Sequence, residues 1–125
     1  MEKTNMLPLG SVVYLQEGVI PLMIVSRQPL LNLNNEVYYL DYAAVNQITG
    51  LTNTEEIAYF NNEDISSVLS EGFVGDNEER VLFALQEWRE KNKDIPKGKV
   101  IELNKDKKND KNSDNNDLDN EDYGF

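Results

Sequence analysis

Apolar and β-branched residues fall into short runs along the first sixty positions, each bounded by turn formers. Residues 11–15, 19–26 and 36–45 are rich in Val, Ile, Leu and Tyr, the composition of half-buried strands. Gln16-Glu17-Gly18 separates the first two, and a glycine free to take positive φ predicts a tight hairpin there. The Asn cluster in Pro29-Leu30-Leu31-Asn32-Leu33-Asn34-Asn35 predicts a turn, although its three leucines are unusual for a loop. Strict alternation in the third run puts Tyr38, Leu40 and Tyr42 on one face and Val37, Tyr39 and Asp41 on the other. A polar connection, Asn46 to Thr54, leads to a fourth strand over Glu56 to Phe60.

Periodicity changes after Phe60. Asn61 or Asn62 can cap the next segment, with Glu63 and Asp64 in a first turn where negative charge suits the helix dipole. Ile65, Val68 and Leu69 recur at helical spacing, while Val68 to Phe73 reads equally as a short strand. The clearest helix is Asp76 to Lys93. At about 100° per residue, Val81, Ala84, Leu85 and Trp88 form one apolar stripe flanked by Leu82, opposite a charged face. Asp76 with Glu79 fits a capping arrangement, and Pro96 and Gly98 lie just past the end. The pattern predicts an α+β fold: an antiparallel sheet of four or five strands, flat or curled into a half-barrel, with one C-terminal helix packed on it. From Asn104 the composition turns to Asn, Asp and Lys, too polar to offset ordering entropy. The expected organisation is one domain over residues 1–103 and a disordered acidic tail over 104–125.

Charge narrows the partners. The 125 residues carry a formal charge of −11, and residues 1–103 alone hold sixteen acidic and eight basic side chains. Nucleic acid and an anionic bilayer are repelled by such a field, so a charge-guided partner presents a basic surface. There is no cysteine and no histidine, which removes disulfides, thiolate chemistry, the usual neutral-pH base and the commonest zinc ligands. The longest uninterrupted apolar run, Val19 to Val25, is far short of the roughly 20 residues a membrane helix needs, and the N-terminus lacks a secretory pattern. A cytoplasmic protein without membrane insertion is expected.

Candidate chemistry is sparse. Glu55-Glu56, Glu63-Asp64 and Glu78-Glu79 are adjacent acids, and adjacent side chains do not converge on one cleft, so they read as solvated surface. Asp114, Asn116, Asp117 and Asp119 are oxygen-rich, yet Asp119 stands where a calcium loop needs its glycine. No phosphate-binding glycine loop is present, and Tyr38, Tyr39 and Tyr42 lack the basic neighbours of a single-strand groove. No enzyme and no cofactor is expected; convergence of Arg27, Asp41 and Tyr42 on a polar pocket is the arrangement that reopens the enzyme class. Phe83 falls among Glu79, Gln86 and Glu90 on the polar side of the helix, and with Leu30, Leu31 and Leu33 offers an apolar footing for another protein. The terminal Leu118…Tyr123-Gly124-Phe125 reads as either a docking peptide or a plain end.

Five segments together carry a resemblance: Leu7-Pro8-Leu9-Gly10-Ser11-Val12-Val13, Leu22-Met23-Ile24, Tyr39-Leu40-Asp41-Tyr42, Tyr59-Phe60-Asn61-Asn62-Glu63-Asp64-Ile65 and Gly72-Phe73. In these the chain resembles the EsaE-like chaperones of Gram-positive bacteria, small cytoplasmic proteins encoded beside LXG toxins of type VIIb secretion systems. It departs from them after the third segment, where Asn46-Gln47-Ile48-Thr49-Gly50 replaces a Tyr-Pro-x-Gly turn. The resemblance implies a non-enzymatic factor that binds an LXG-type toxin, assists its export and contacts secretion components. An immunity protein that neutralises a toxin is the alternative. Under either reading, Leu30, Leu31, Leu33, Tyr39, Asp41 and Phe83 are the expected partner-binding residues.

Overall fold

Residues 4–100 are described by the structure, a computed structural model. The expected tail over 104–125, with its Asp114 cluster and its terminal aromatics, lies outside them, as do residues 101–103. Strands β1 (Val12–Leu15), β2 (Leu22–Arg27), β3 (Leu30–Leu33), β4 (Glu36–Tyr39), β5 (Tyr42–Asn46), β6 (Ala58–Phe60) and β7 (Ile65–Ser70) precede one helix, α1 (Glu78–Lys91). Five strands form an antiparallel sheet in the order β6-β5-β2-β1-β7, and β3 and β4 form a separate pair. The architecture is the expected α+β one with five strands, and the sheet stays open rather than closing into a barrel.

The long third strand breaks in two for a physical reason. β2 and β5 form a hairpin whose ladder continues past Arg27↔Tyr42 through Gln28 N–H to the Asp41 carbonyl (2.8 Å) and Leu40 N–H to the Pro29 carbonyl (3.1 Å). Gln28 takes a left-handed φ of 60°, and the hairpin bends there, so its distal half becomes the β3–β4 pair. Leu40, Asp41 and Tyr42 are consequently all buried, which strict alternation forbids. The leucine-rich "loop" is thus a strand, and Asn34 and Asn35, at φ 55° and 67°, close it with the two positive-φ residues of a two-residue hairpin turn.

The β1–β2 connection also differs from expectation. It spans Gln16 to Pro21, with Glu17 at φ 63° in place of a left-handed glycine. Pro21 has no N–H to give a ladder, so β2 starts at Leu22 and leaves Val19 and Ile20 outside the sheet. The ambiguous segment after Asp64 is strand β7, bulged at two places against β1.

Met6, Val13, Ile24, Tyr42, Ala44, Phe60 and Leu82 make the core, with Leu15, Leu22, Ile65 and Leu85 packed around them. Leu82, rather than Val81, is the buried residue of α1, so the helix is rotated from the face its apolar stripe suggested. Polar pairs explain the rotation. Arg27 makes a two-pronged ion pair with Glu78 at 2.9 Å through each nitrogen, and Arg89 reaches inward to Asp41. Asn77 rather than Asp76 precedes the first helical turn, and it offers no side-chain cap.

Candidate functional site

The segments Tyr39–Tyr42 and Tyr59–Ile65, with Leu7 of the opening segment, meet around Asp41. Asp41, at 1% exposure, accepts from Arg89 Nη2 (2.8 Å), Lys97 Nζ (3.1 Å) and the Asn62 backbone N–H (2.8 Å). Its own backbone N–H donates to Asn61 Oδ1 (2.9 Å), and Asn61 Nδ2 donates to the Gly98 carbonyl (2.8 Å). Asn61 therefore spends its side chain on Asp41 and Gly98, while Asp64 accepts from the Asn61 N–H to start the 3-10 turn Asn62–Asp64. Tyr42 Oη donates to Asn62 Oδ1 (2.5 Å) and accepts from Leu7 N–H (2.8 Å). Arg89 additionally donates to Gln28 Oε1 and lies 4.8 Å over the Tyr39 ring, whose edge meets Trp88 at 5.7 Å.

The opening segment is knitted the same way. Gly10, at φ 89°, gives its N–H to the Ile24 carbonyl, and Ser11 Oγ donates to the Pro8 carbonyl while accepting from Gly72 N–H. Both glycines stand where backbones touch: a Cβ on Gly72 would lie 2.0 Å from the Leu9 carbonyl oxygen. Ser11, Asp41, Tyr42 and Asn61 are thus turned inward on the fold, while Glu63 stays at the surface.

Arg27, Asp41 and Tyr42 do not build a polar pocket. Arg27 is committed to Glu78, Asp41 to Arg89 and Lys97, and Tyr42 to Leu7, with Asn62 bonded to both Asp41 and Tyr42, and none of the three lines either of the concavities described below. Burial pushes the Tyr42 phenol above its ordinary value near 10, outweighing the opposing pull of the Leu7 hydrogen bond, and burial raises Tyr59 as well. The folded chain then holds these protons more tightly than the unfolded chain, so the stability from burying neutral phenols is present below about pH 10 and lost as pH rises toward the folded values. Tyr59→Phe is expected to reduce the loss of stability above about pH 10, read as a shallower fall of Tm with pH than in the parent. Among the described residues no cluster of three or more acidic, His or Cys side chains could hold a metal.

The expected partner residues are scattered. Leu30 is half exposed and, with Gln28, Ala84, Leu85 and Trp88, lines a groove of about 270 Å³ between β3 and α1. Leu31 and Leu33 are partly buried opposite Tyr38 and Glu36. Tyr39 is held between Trp88 and Arg89, and Asp41 is inside. Phe83 is 40% exposed on another flank of α1 and does not line that groove. The fold brings Leu30 to the helix and leaves Phe83 apart.

Larger apolar exposure lies at the two ends of the sheet, where sequence reading placed no site. At one end Phe73 is 87% exposed beside Val74, just after β7. At the other, Leu15, Val19, Ile20, Leu22, Asn46 and Glu56 line a concavity of about 560 Å³, with Val19 84% exposed. Pro21 was the available signal, since it ends the strand before Val19 and Ile20 can join it. Among the described residues no helix is long and apolar enough to cross a membrane.

Residues 6–81 match the family described as a domain of unknown function, DUF4176, and the chain belongs to that family. No curated protein and no solved structure matches it.

Proposed function

We propose that this DUF4176 chain is a non-enzymatic protein-binding module of the cytoplasm, a chaperone or targeting factor for an LXG-type toxin exported by a type VIIb secretion system. The observation that carries the protein-binding part is a division of labour: Asp41, Tyr42, Asn61 and Asn62 are consumed by internal hydrogen bonds and ion pairs, whereas Val19, Phe73 and other bulky apolar side chains stand exposed on an acidic surface. A buried polar network specifies a fold, and exposed apolar groups rimmed by charge mark a contact surface. The toxin as partner comes from the motif resemblance alone. In this reading the module covers apolar or active surface of the toxin, and its negative field speeds encounter with a basic region.

The acidity equally suits an immunity protein seated on the basic active site of a nucleic-acid-degrading toxin. Deletion separates the two. A chaperone's loss abolishes toxin export while the producing cell stays viable, and an immunity protein's loss leaves export intact and kills the cell. Retained export with retained viability would remove both readings.

A further inference from the structure

The concavity between β1, β2 and β5 combines three properties. It is apolar, with Leu15, Val19, Ile20 and Leu22 in its lining, and its volume of about 560 Å³ is within the range of roughly 300–1,000 Å³ that accommodates a bound group. It is braced: Gln47 N–H donates to the Pro21 carbonyl (2.9 Å), tying the 16–21 loop to the 47–53 loop, which exposes Ile48 (72%) and Leu51 (59%) beside it. Its charges have one sign. Glu17, Glu55 and Glu56 fall in or next to these loops, and no Lys or Arg occurs within residues 15–22 or 46–60.

We infer that this sheet end is a docking site for a basic amphipathic segment of a partner protein. Bulky apolar residues of the segment enter between Val19, Ile20 and Leu22, and its Lys or Arg side chains face Glu17, Glu55 and Glu56. One apolar face with flanking cations is the pattern of a helix laid in a groove. A second copy of this chain does not fit, because a two-fold pairing of the face with itself sets the same three glutamates against one another. An anionic lipid surface is repelled for the same reason. The inference rests on the protein-binding reading above, and the toxin is its partner only if that reading holds.

The test uses the full chain and two synthetic peptides. One carries Leu at i, i+3, i+4 and i+7 with Lys elsewhere, and the other has Glu in place of Lys. Binding is followed by titration and by backbone amide shifts. The Leu/Lys peptide is expected to bind, with shifts centred on residues 15–22 and 46–56, and the Leu/Glu peptide to fail. Val19→Asp is expected to weaken the Leu/Lys complex at least tenfold at unchanged Tm, since this side chain is already in solvent. That variant also adds a negative charge, so binding driven by net charge alone would hold or strengthen, and this result overturns the proposal. Shifts centred on Phe73 or on the β3–α1 groove also overturn it, as does absence of Leu/Lys binding. A toxin complex that survives Val19→Asp removes this site and leaves the chaperone reading standing; no toxin complex with the parent chain, alongside the expected peptide result, does the reverse.

Discussion

Replacing Gly72 with alanine is expected to cost on the order of 3–5 kcal/mol, because the added carbon meets backbone that cannot move aside. Its Cβ would lie 2.0 Å from the Leu9 carbonyl oxygen and 2.9 Å from both the Leu9 carbonyl carbon and Ser11 N. Relief requires parting the Pro8–Ser11 turn from the end of β7. That movement also breaks the Gly72 N–H to Ser11 Oγ bond and loosens the link from Gly10 to Ile24. Against a total of about 5–15 kcal/mol for a domain, this is a large fraction, and Tm is expected to fall by more than about 12 °C. Gly10→Ala is the comparison. Glycine takes the φ of 89° at position 10 freely and alanine does not, but the added Cβ would come only to 3.8 Å from Gly72 Cα, so a cost of about 1–2 kcal/mol is expected. Thermal unfolding of the two variants side by side checks the argument, and equal losses would contradict it.

Asp41→Ala is expected to cost about 2–4 kcal/mol. Breaking a fully buried ion pair from one side costs about 3–5 kcal/mol. The figure is discounted here because Arg89 retains 20% and Lys97 35% of its side-chain exposure, and water can take over part of their solvation. Asn62 N–H also loses its acceptor. The loss spreads across elements distant in sequence, since this carboxylate joins the hairpin bend to the Asn62–Asp64 turn, to α1 and to the segment after it. A double-mutant cycle with Arg89→Ala is expected to give a coupling between about 0.5 and 3 kcal/mol, as residues in one network do. Strict additivity in urea unfolding would show that Asp41 and Arg89 do not act as a unit.

β1, β2, β6 and α1 are legible because hydrophobic runs and turn formers report them directly, whereas β3 reads as a loop, β4 and β5 as one strand, and β7 as helix or strand alike. The bend at Gln28 and Asp41 is not legible. It depends on a left-handed φ at a glutamine and on partners for Asp41 that are contributed from residues 62, 89 and 97. The rotation of α1 was hidden for a related reason. Hydrophobic periodicity treats Glu78 and Arg89 as solvent-facing, yet their charges are matched by Arg27 and Asp41 and they sit on the packed side. Asp41 was singled out from the sequence as a contact for a partner, and it is instead an internal anchor. Local sequence cannot distinguish these roles, because an acid is placed inside only when its cations arrive from elsewhere in the chain.

Most of the motif residues serve the fold, and Phe73 at 87% exposure is the exception among them. Leu7 to Val13, Tyr39 to Tyr42 and Tyr59 to Ile65 specify how the chain folds, so they identify relatives without marking where a partner sits. The exposed apolar side chains Val19, Ile48 and Phe73 are placed by breaks in the pattern: a proline before β2, a glycine-containing connection after β5, and the glycine at the end of β7.

The most direct test is co-purification of the tagged full chain with an LXG-type toxin, the partner proposed above, at micromolar concentration and low salt. A stable complex is expected that weakens as salt is raised and is lost with Val19→Asp while the fold persists. Absence of any complex under these conditions would contradict the chaperone reading.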